Sequence, residues 1–125
     1  MLFDTNILIW VEHGNRKAAS LINSRDERFI SVQTYMELLQ GVRTLPRIKL
    51  IKDFLSNLGF KTLPFTENIG HRASIYIEEY TPSCGLRAGD AIIAATAVEN
   101  HLVLATGNHK HFKAVKDLQL HRFEP

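Results

Sequence analysis

Met1-Leu2-Phe3-Asp4-Thr5-Asn6-Ile7-Leu8-Ile9-Trp10 opens the chain with an apolar run that an aspartate interrupts at its fourth residue. Leu2 to Asp4 reads as a short buried strand ending in a carboxylate, and Thr5 to Val11 is apolar enough for a helix directly after it. Open α/β sheets present ligand-binding and catalytic groups in this way, at the carboxyl ends of their strands. Asp4 has a second reading, since aspartate is among the best helix N-caps. Asn6 nearby offers another cap, which would leave Asp4 free for other work.

Outward from that stretch, strand-like and helical segments alternate. Gly14-Asn15 stops the first helix, and Lys17 to Asn23 forms a short amphipathic one with Ala18, Leu21 and Ile22 on one face. Arg28 to Ser31 is strand-like, and Ser31 is a good N-cap for a helix from Val32 to about Arg43. Pro46 suits the first turn of a helix that runs to about Leu58 and ends at Gly59. Lys61 to Leu63 reads as a strand, and Thr66 or Glu67 starts a helix to about Tyr80. Pro82 and Gly85 predict a loop, Asp90 to Asn100 an alanine-rich helix, and Leu102 to Ala105 a buried strand. Gly107 marks a turn, and Leu118 to Arg122 is the last strand. This alternation predicts an α/β fold with a mostly parallel sheet and helices on both faces. The chain has 125 residues, enough for one buried core, and residues 1–125 are expected to be a single domain.

Composition narrows the function classes. Hydrophobic residues make up 45% and charged residues 22%, which excludes disorder and suits a soluble globular protein. The lone Cys84 excludes an intramolecular disulfide and fits a reducing cytoplasm. No stretch approaches the roughly 18 apolar residues of a membrane span. The first apolar run contains Asp4 and has no basic region ahead of it, so it does not read as a signal peptide. The net charge of +2 is too mild to announce a nucleic-acid binder. Arg43, Arg47, Lys49, Lys52 and Lys61 nevertheless stand against Asp53 alone, a local basic face that suits phosphate contacts or a solvated helix surface equally.

Two further acids have unusual surroundings. Glu37 falls mid-helix with Gln33, Thr34, Gln40 and Gly41 at helical spacing, a polar, small-residue stripe. An ordinary solvent-facing glutamate would look the same. Asp90 stands in Gly89-Asp90-Ala91-Ile92-Ile93-Ala94-Ala95-Thr96-Ala97, ahead of a helix with little side-chain bulk. It could serve as an N-cap, or be carried close to a strand end by a helix able to pack tightly. Asp4, Glu37 and Asp90 gathered at one sheet edge would make a hard-cation site.

At this point the chain resembles the PIN-domain ribonucleases, of the small single-domain VapC toxin type. The matching stretches are Leu2-Phe3-Asp4-Thr5-Asn6, Tyr35-Met36-Glu37-Leu38, Gly89 to Ala97, and Thr106-Gly107-Asn108-His109-Lys110-His111-Phe112. The resemblance implies a PIN-like three-layer sandwich. It implies a metal-dependent endoribonuclease, the toxin of a toxin–antitoxin pair, with RNA as substrate, a small antitoxin as partner, no membrane association and a homodimeric assembly. The family's acids carry over onto Asp4, Glu37 and Asp90. Relatives often place a fourth acid within the Thr-x-Asn-x-x-x-Phe stretch, where this chain has Asn108 and His111. Asn108 can offer a carbonyl oxygen or hold a water, and the missing charge bears on whether one or two metals bind. Thr106 can orient a carboxylate or a water, or be an end-of-strand turn residue.

Carboxylates without a cysteine or histidine cluster suit Mg²⁺ or Mn²⁺. His109 and His111 flank Lys110 in an expected loop, two ligands too few for zinc, and belong beside a substrate path or on the surface. Two other classes remain open. A haloacid-dehalogenase-type phosphatase also begins with Asp at the end of its first strand, but wants a second Asp where this chain has Asn6. A non-catalytic RNA-binding version of the fold is favoured if the acids fail to converge.

Overall fold

The computed structural model describes residues 1–125. Five strands, β1 (Leu2–Phe3), β2 (Arg28–Ser31), β3 (Phe60–Leu63), β4 (Leu104–Thr106) and β5 (Leu120–Arg122), form one sheet in the order β3-β2-β1-β4-β5. Every pairing is parallel. Seven helices connect and cover them: α1 (Thr5–Glu12), α2 (Arg16–Asn23), α3 (Val32–Leu39), α4 (Leu45–Asn57), α5 (Glu67–Cys84), α6 (Ala88–Glu99) and α7 (His109–Phe112).

The central strand β1 is only two residues long, and both are fully buried. Strands covered on both faces read as unbroken apolar runs, which is why the opening stretch shows no alternation. The two sides of each strand still go to different layers. Leu2 and Leu104, partners in register, enter a core with α5, α6 and Phe112. Phe3 and Ala105, the next pair, face α1, α2 and Leu55 of α4. Phe3 meets Phe60 edge-on at 5.5 Å between ring centres.

Chain order runs outward from β1 through β2 to β3 on one side, and through β4 to β5 on the other. The order therefore reverses between β1 and β4. A crevice at the carboxyl ends of such a pair is where open α/β sheets bind ligands. Asp4 follows β1 and Thr106 ends β4, so both lie at this crevice.

Several boundaries differ from expectation, each for a local reason. Helix α3 ends at Leu39, because Gly41 turns the chain with a φ of +83°. Pro82 is not in a loop but inside α5, which continues to Cys84. Proline fits helical φ, and this one removes only its own N–H near the end of the helix. Gly85 then closes the helix in the left-handed conformation, its N–H donating to the Thr81 carbonyl. The connection to α6 is thus short, and α6 begins at Ala88, two residues before Asp90. Strand β4 lies two residues later than expected at its start and includes Thr106. His109 to Phe112 is a turn of helix rather than a loop, pinned by fully buried Phe112. Ser31, Thr44 and Thr66 cap α3, α4 and α5 through their hydroxyls.

Candidate active site

Asp4 caps α1 after all: its Oδ1 accepts the Thr5 N–H at 2.8 Å. Its Oδ2 accepts the Thr106 hydroxyl at 2.7 Å. The cap uses only Oδ1, so capping does not exclude a further role for the Asp4 carboxylate. Asn6 does something else, accepting the Gly107 N–H through its side-chain oxygen at 3.4 Å. Gly107 leaves room for that approach, since a Cβ there would stand 3.1 Å from the Asn6 amide nitrogen.

Thr5 links the first acid to the second. Its hydroxyl lies 2.6 Å from Oε1 of Glu37 and 3.0 Å from the Thr34 hydroxyl. One hydroxyl has one proton, and the short bond to the carboxylate takes it, so Thr34 donates to Thr5. The Ser31 hydroxyl sits 3.3 Å behind Thr34. A buried chain of hydroxyls from Ser31 through Thr34 to Thr5 therefore ends on Glu37, which is not a solvent-facing glutamate. Of the polar stripe read in the sequence, Thr34 and Glu37 face Thr5 of α1, and Gln33 and Glu37 lie beside Gly89 of α6.

Asp90 lies in the first turn of α6, whose N-cap is Arg87, so the cap reading of Asp90 fails. Its side chain is 18% exposed, and Nδ1 of His111 lies 3.2 Å from its Oδ2. Gly89 lets α6 come close to α3: an added Cβ would stand 3.1 Å from Nε2 of Gln33 and 3.4 Å from Oε2 of Glu37. Ala91, Ala94, Ala95 and Ala97 are fully buried along the rest of the helix. Small side chains at these positions permit the tight packing that carries Asp90 to the sheet edge.

The electrostatics join the three. Asp4 is buried, with 4% of its surface exposed. Its carboxyl is pushed up to about 6, first by burial, against the bonds from Thr106 and Thr5, and further by the charges of Asp90 and Glu37. A cation would relieve both the burial and the mutual repulsion. No three His, Cys, Asp or Glu side chains close to ligating distance around one point. The donors fit a hard divalent ion all the same: they are oxygens, and such an ion keeps several waters and takes only one or two carboxylates directly.

Thr106 donates its hydroxyl to Asp4, and the same oxygen accepts the Asn108 N–H at 2.9 Å at the end of the strand. The Asn108 side chain makes no capping bond and is exposed. Thr5 is a neighbour of these acids that the sequence reading did not single out, its adjacency to Asp4 being the only signal. Thr34 was read only as part of the stripe beside Glu37, and His111 only at the fourth-acid position, without the partners they have here. Of the basic run, Arg47, Lys49 and Lys52 lie on α4 while Lys61 is in β3. Arg47 lines a groove with Val11, Leu50 and Phe54 at the far end of α1 from Asp4, and Lys49 pairs with exposed Asp53.

The fold that carries this arrangement is shared with known proteins. The PIN domain model covers residues 1–118, and the chain belongs to the PIN-domain family. Ribonuclease VapC10 of Mycobacterium tuberculosis is 34% identical over 123 residues, 95% of this chain and 90% of that protein. Among solved structures, a toxin–antitoxin complex from Klebsiella pneumoniae shares 32% identity with a TM-score of 0.78, over 94% of this chain and 93% of that one. VapBC-1 from nontypeable Haemophilus influenzae shares 25% identity with a TM-score of 0.80, over 97% and 96%. No helix is long and apolar enough to cross a membrane.

Proposed function

We propose that this protein is a divalent-metal-dependent endoribonuclease and the toxin of a toxin–antitoxin pair. The observation that carries the reading is Asp4: buried at the β1/β4 crevice, hydrogen-bonded at both oxygens, and acted on by the charges of Glu37 and Asp90. PIN-domain ribonucleases are in general metal-dependent, and the oxygen donors here favour Mg²⁺ or Mn²⁺ over softer ions. Asp4, Glu37 and Asp90 would hold the ion, directly or through water. When bound, such an ion lowers the pKa of a water to make a nucleophile and neutralises charge on a phosphodiester.

The protein's own groups do the positioning. Thr106 and the Thr5 N–H keep the Asp4 carboxylate turned to the crevice, and the Thr5 hydroxyl keeps Glu37 there. Asn108, exposed beside Thr106, offers an amide to the RNA or to a water. The phosphatase alternative loses its required acid to Asn6, which is engaged with Gly107. The non-catalytic alternative is disfavoured because the acids act on one another.

A small antitoxin is the expected partner, by analogy with the toxin–antitoxin complexes this fold matches. Half-exposed Ile9 and Trp10 on α1, with exposed Leu45 and Leu50 on α4, supply apolar surface for it. A homodimer follows from the family resemblance and is checked by sedimentation. The decisive experiment is RNA cleavage with Mg²⁺, with Mn²⁺ and with EDTA, alongside Asp4→Asn and Asp90→Asn. Both variants should lose more than the roughly 10- to 100-fold that outer metal-site partners typically supply. Full cleavage in EDTA, or parental cleavage by either variant at limiting Mg²⁺, rejects this assignment.

A further inference from the structure

Asp4 and Glu37 are each held by donors from the protein: Asp4 by the Thr5 N–H and the Thr106 hydroxyl, Glu37 by the Thr5 hydroxyl. Asp90 has no such partner on its own helix or on the sheet. The one polar contact of its side chain is with His111, whose Nδ1 lies 3.2 Å from Oδ2. The imidazole is half exposed, yet its backbone is fixed. The His111 N–H donates to the Asn108 carbonyl at 3.0 Å, and the next residue, Phe112, is fully buried. Of the two residues standing where a fourth acid was sought, Asn108 leaves its side chain unbonded and His111 reaches a carboxylate.

We propose that His111 is a positioning residue for Asp90. Its Nδ1, 3.2 Å from Oδ2, holds the carboxylate by a polar contact, doing for the third acid what threonine hydroxyls do for the other two. Oδ1 of Asp90 is then left for the divalent ion. Groups that orient metal ligands in this way are worth about 10- to 100-fold in metal affinity. This role rests on the nuclease reading above, because it gives Asp90 an ion to hold.

The test is Mn²⁺ affinity, measured by calorimetric titration of the full chain, for the parent, His111→Asn, His111→Gln and His111→Ala. Asparagine places an amide N–H near the position of Nδ1, and glutamine places one near Nε2. We expect His111→Asn to bind Mn²⁺ nearly as tightly as the parent. His111→Gln and His111→Ala should bind on the order of tenfold more weakly. Thermal unfolding in EDTA should be the same for all four, since the side chain is half exposed. An Asn variant as weak as the Ala variant overturns the Nδ1 role. An Ala variant as tight as the parent overturns positioning altogether while leaving the nuclease reading standing. A parent that binds no Mn²⁺ overturns both.

Discussion

Asp4 and Thr106 stand 102 residues apart in the chain and are joined by a 2.7 Å hydrogen bond from the threonine hydroxyl to Oδ2 of the buried carboxylate. The bond bridges the two strands between which the order of the sheet reverses. It fixes the carboxylate in the crevice, and it also holds the Asn108 N–H, so strand end, turn and acid form one unit.

The first prediction concerns pH and stability. With its carboxyl pushed up to about 6 from 3.8, Asp4 holds its proton more tightly in the folded protein than in the unfolded chain. Ionised Asp4 therefore destabilises the fold, by about 3 kcal/mol above pH 6, and the penalty fades as pH falls from about 6 toward 3.8. Asp4→Asn, which keeps the shape without the charge, should melt higher than the parent at pH 7.5 in EDTA. The gap should close as the pH is lowered to 4.5. Thermal unfolding across that range checks it, and identical curves at every pH would mean that the acid carries no such strain. Asp90 is a poorer probe, because its charge favours the first turn of α6 and meets His111.

Thr106→Val removes the hydroxyl that lowers the Asp4 pKa. The carboxyl should then titrate still higher, and protons should compete better with metal. Mn²⁺ affinity is expected to fall more at pH 6.5 than at pH 8.5, with Thr106→Ser close to the parent at both. The variant should also lose about 1–3 kcal/mol of stability, since a buried acceptor is left without its donor. Titration at the two pH values decides the matter, and an equal loss at both would tie Thr106 to packing alone.

Gly89→Ala separates stability from function. Alanine improves an exposed helix by up to about 1 kcal/mol over glycine. Here the added methyl would stand 3.1 Å from the flexible end of Gln33, which must give by a few tenths of an ångström, while the Glu37 carboxylate at 3.4 Å stays in ordinary contact. The variant should therefore melt at or above the parent in EDTA and cleave RNA at close to the parental rate. A large loss of cleavage with the melting temperature kept would show that the shift at Gln33 reaches the working site.

Asn108→Asp restores charge near the crevice. The side chain is exposed and makes no capping bond, so the change should cost little stability. An added carboxylate close to the ion is worth about 1 kcal/mol in a well-solvated site, roughly fivefold in Mg²⁺ affinity. Unchanged affinity would leave Asn108 as a turn residue and nothing more.

Much of this protein was legible in its sequence because the signals are local. The alternation of strand and helix, the Ser31 cap, the early Pro46 and the acid directly after β1 each depend on neighbours within a few residues. Other expectations failed for the same reason. Pro82 reads as a breaker from its type, but tolerance depends on how near the helix end it falls. Asp90 after Gly89 reads as a cap, but the true cap, Arg87, uses no side chain and leaves no mark.

By itself, then, the sequence determined the class of fold, the buried core strands and the three acids, since hydrophobic pattern and residue chemistry are written along the chain. Only the tertiary structure decided which strand lies beside β1, and with it the meeting of Asp4 with Thr106, of Thr5 with Glu37 and of Asp90 with His111. Those contacts join residues from 21 to 102 positions apart. No local propensity encodes them. They arise because the parallel sheet must bury both faces, and packing α3 and α6 against it brings their polar edges to the crevice where the strand order turns back.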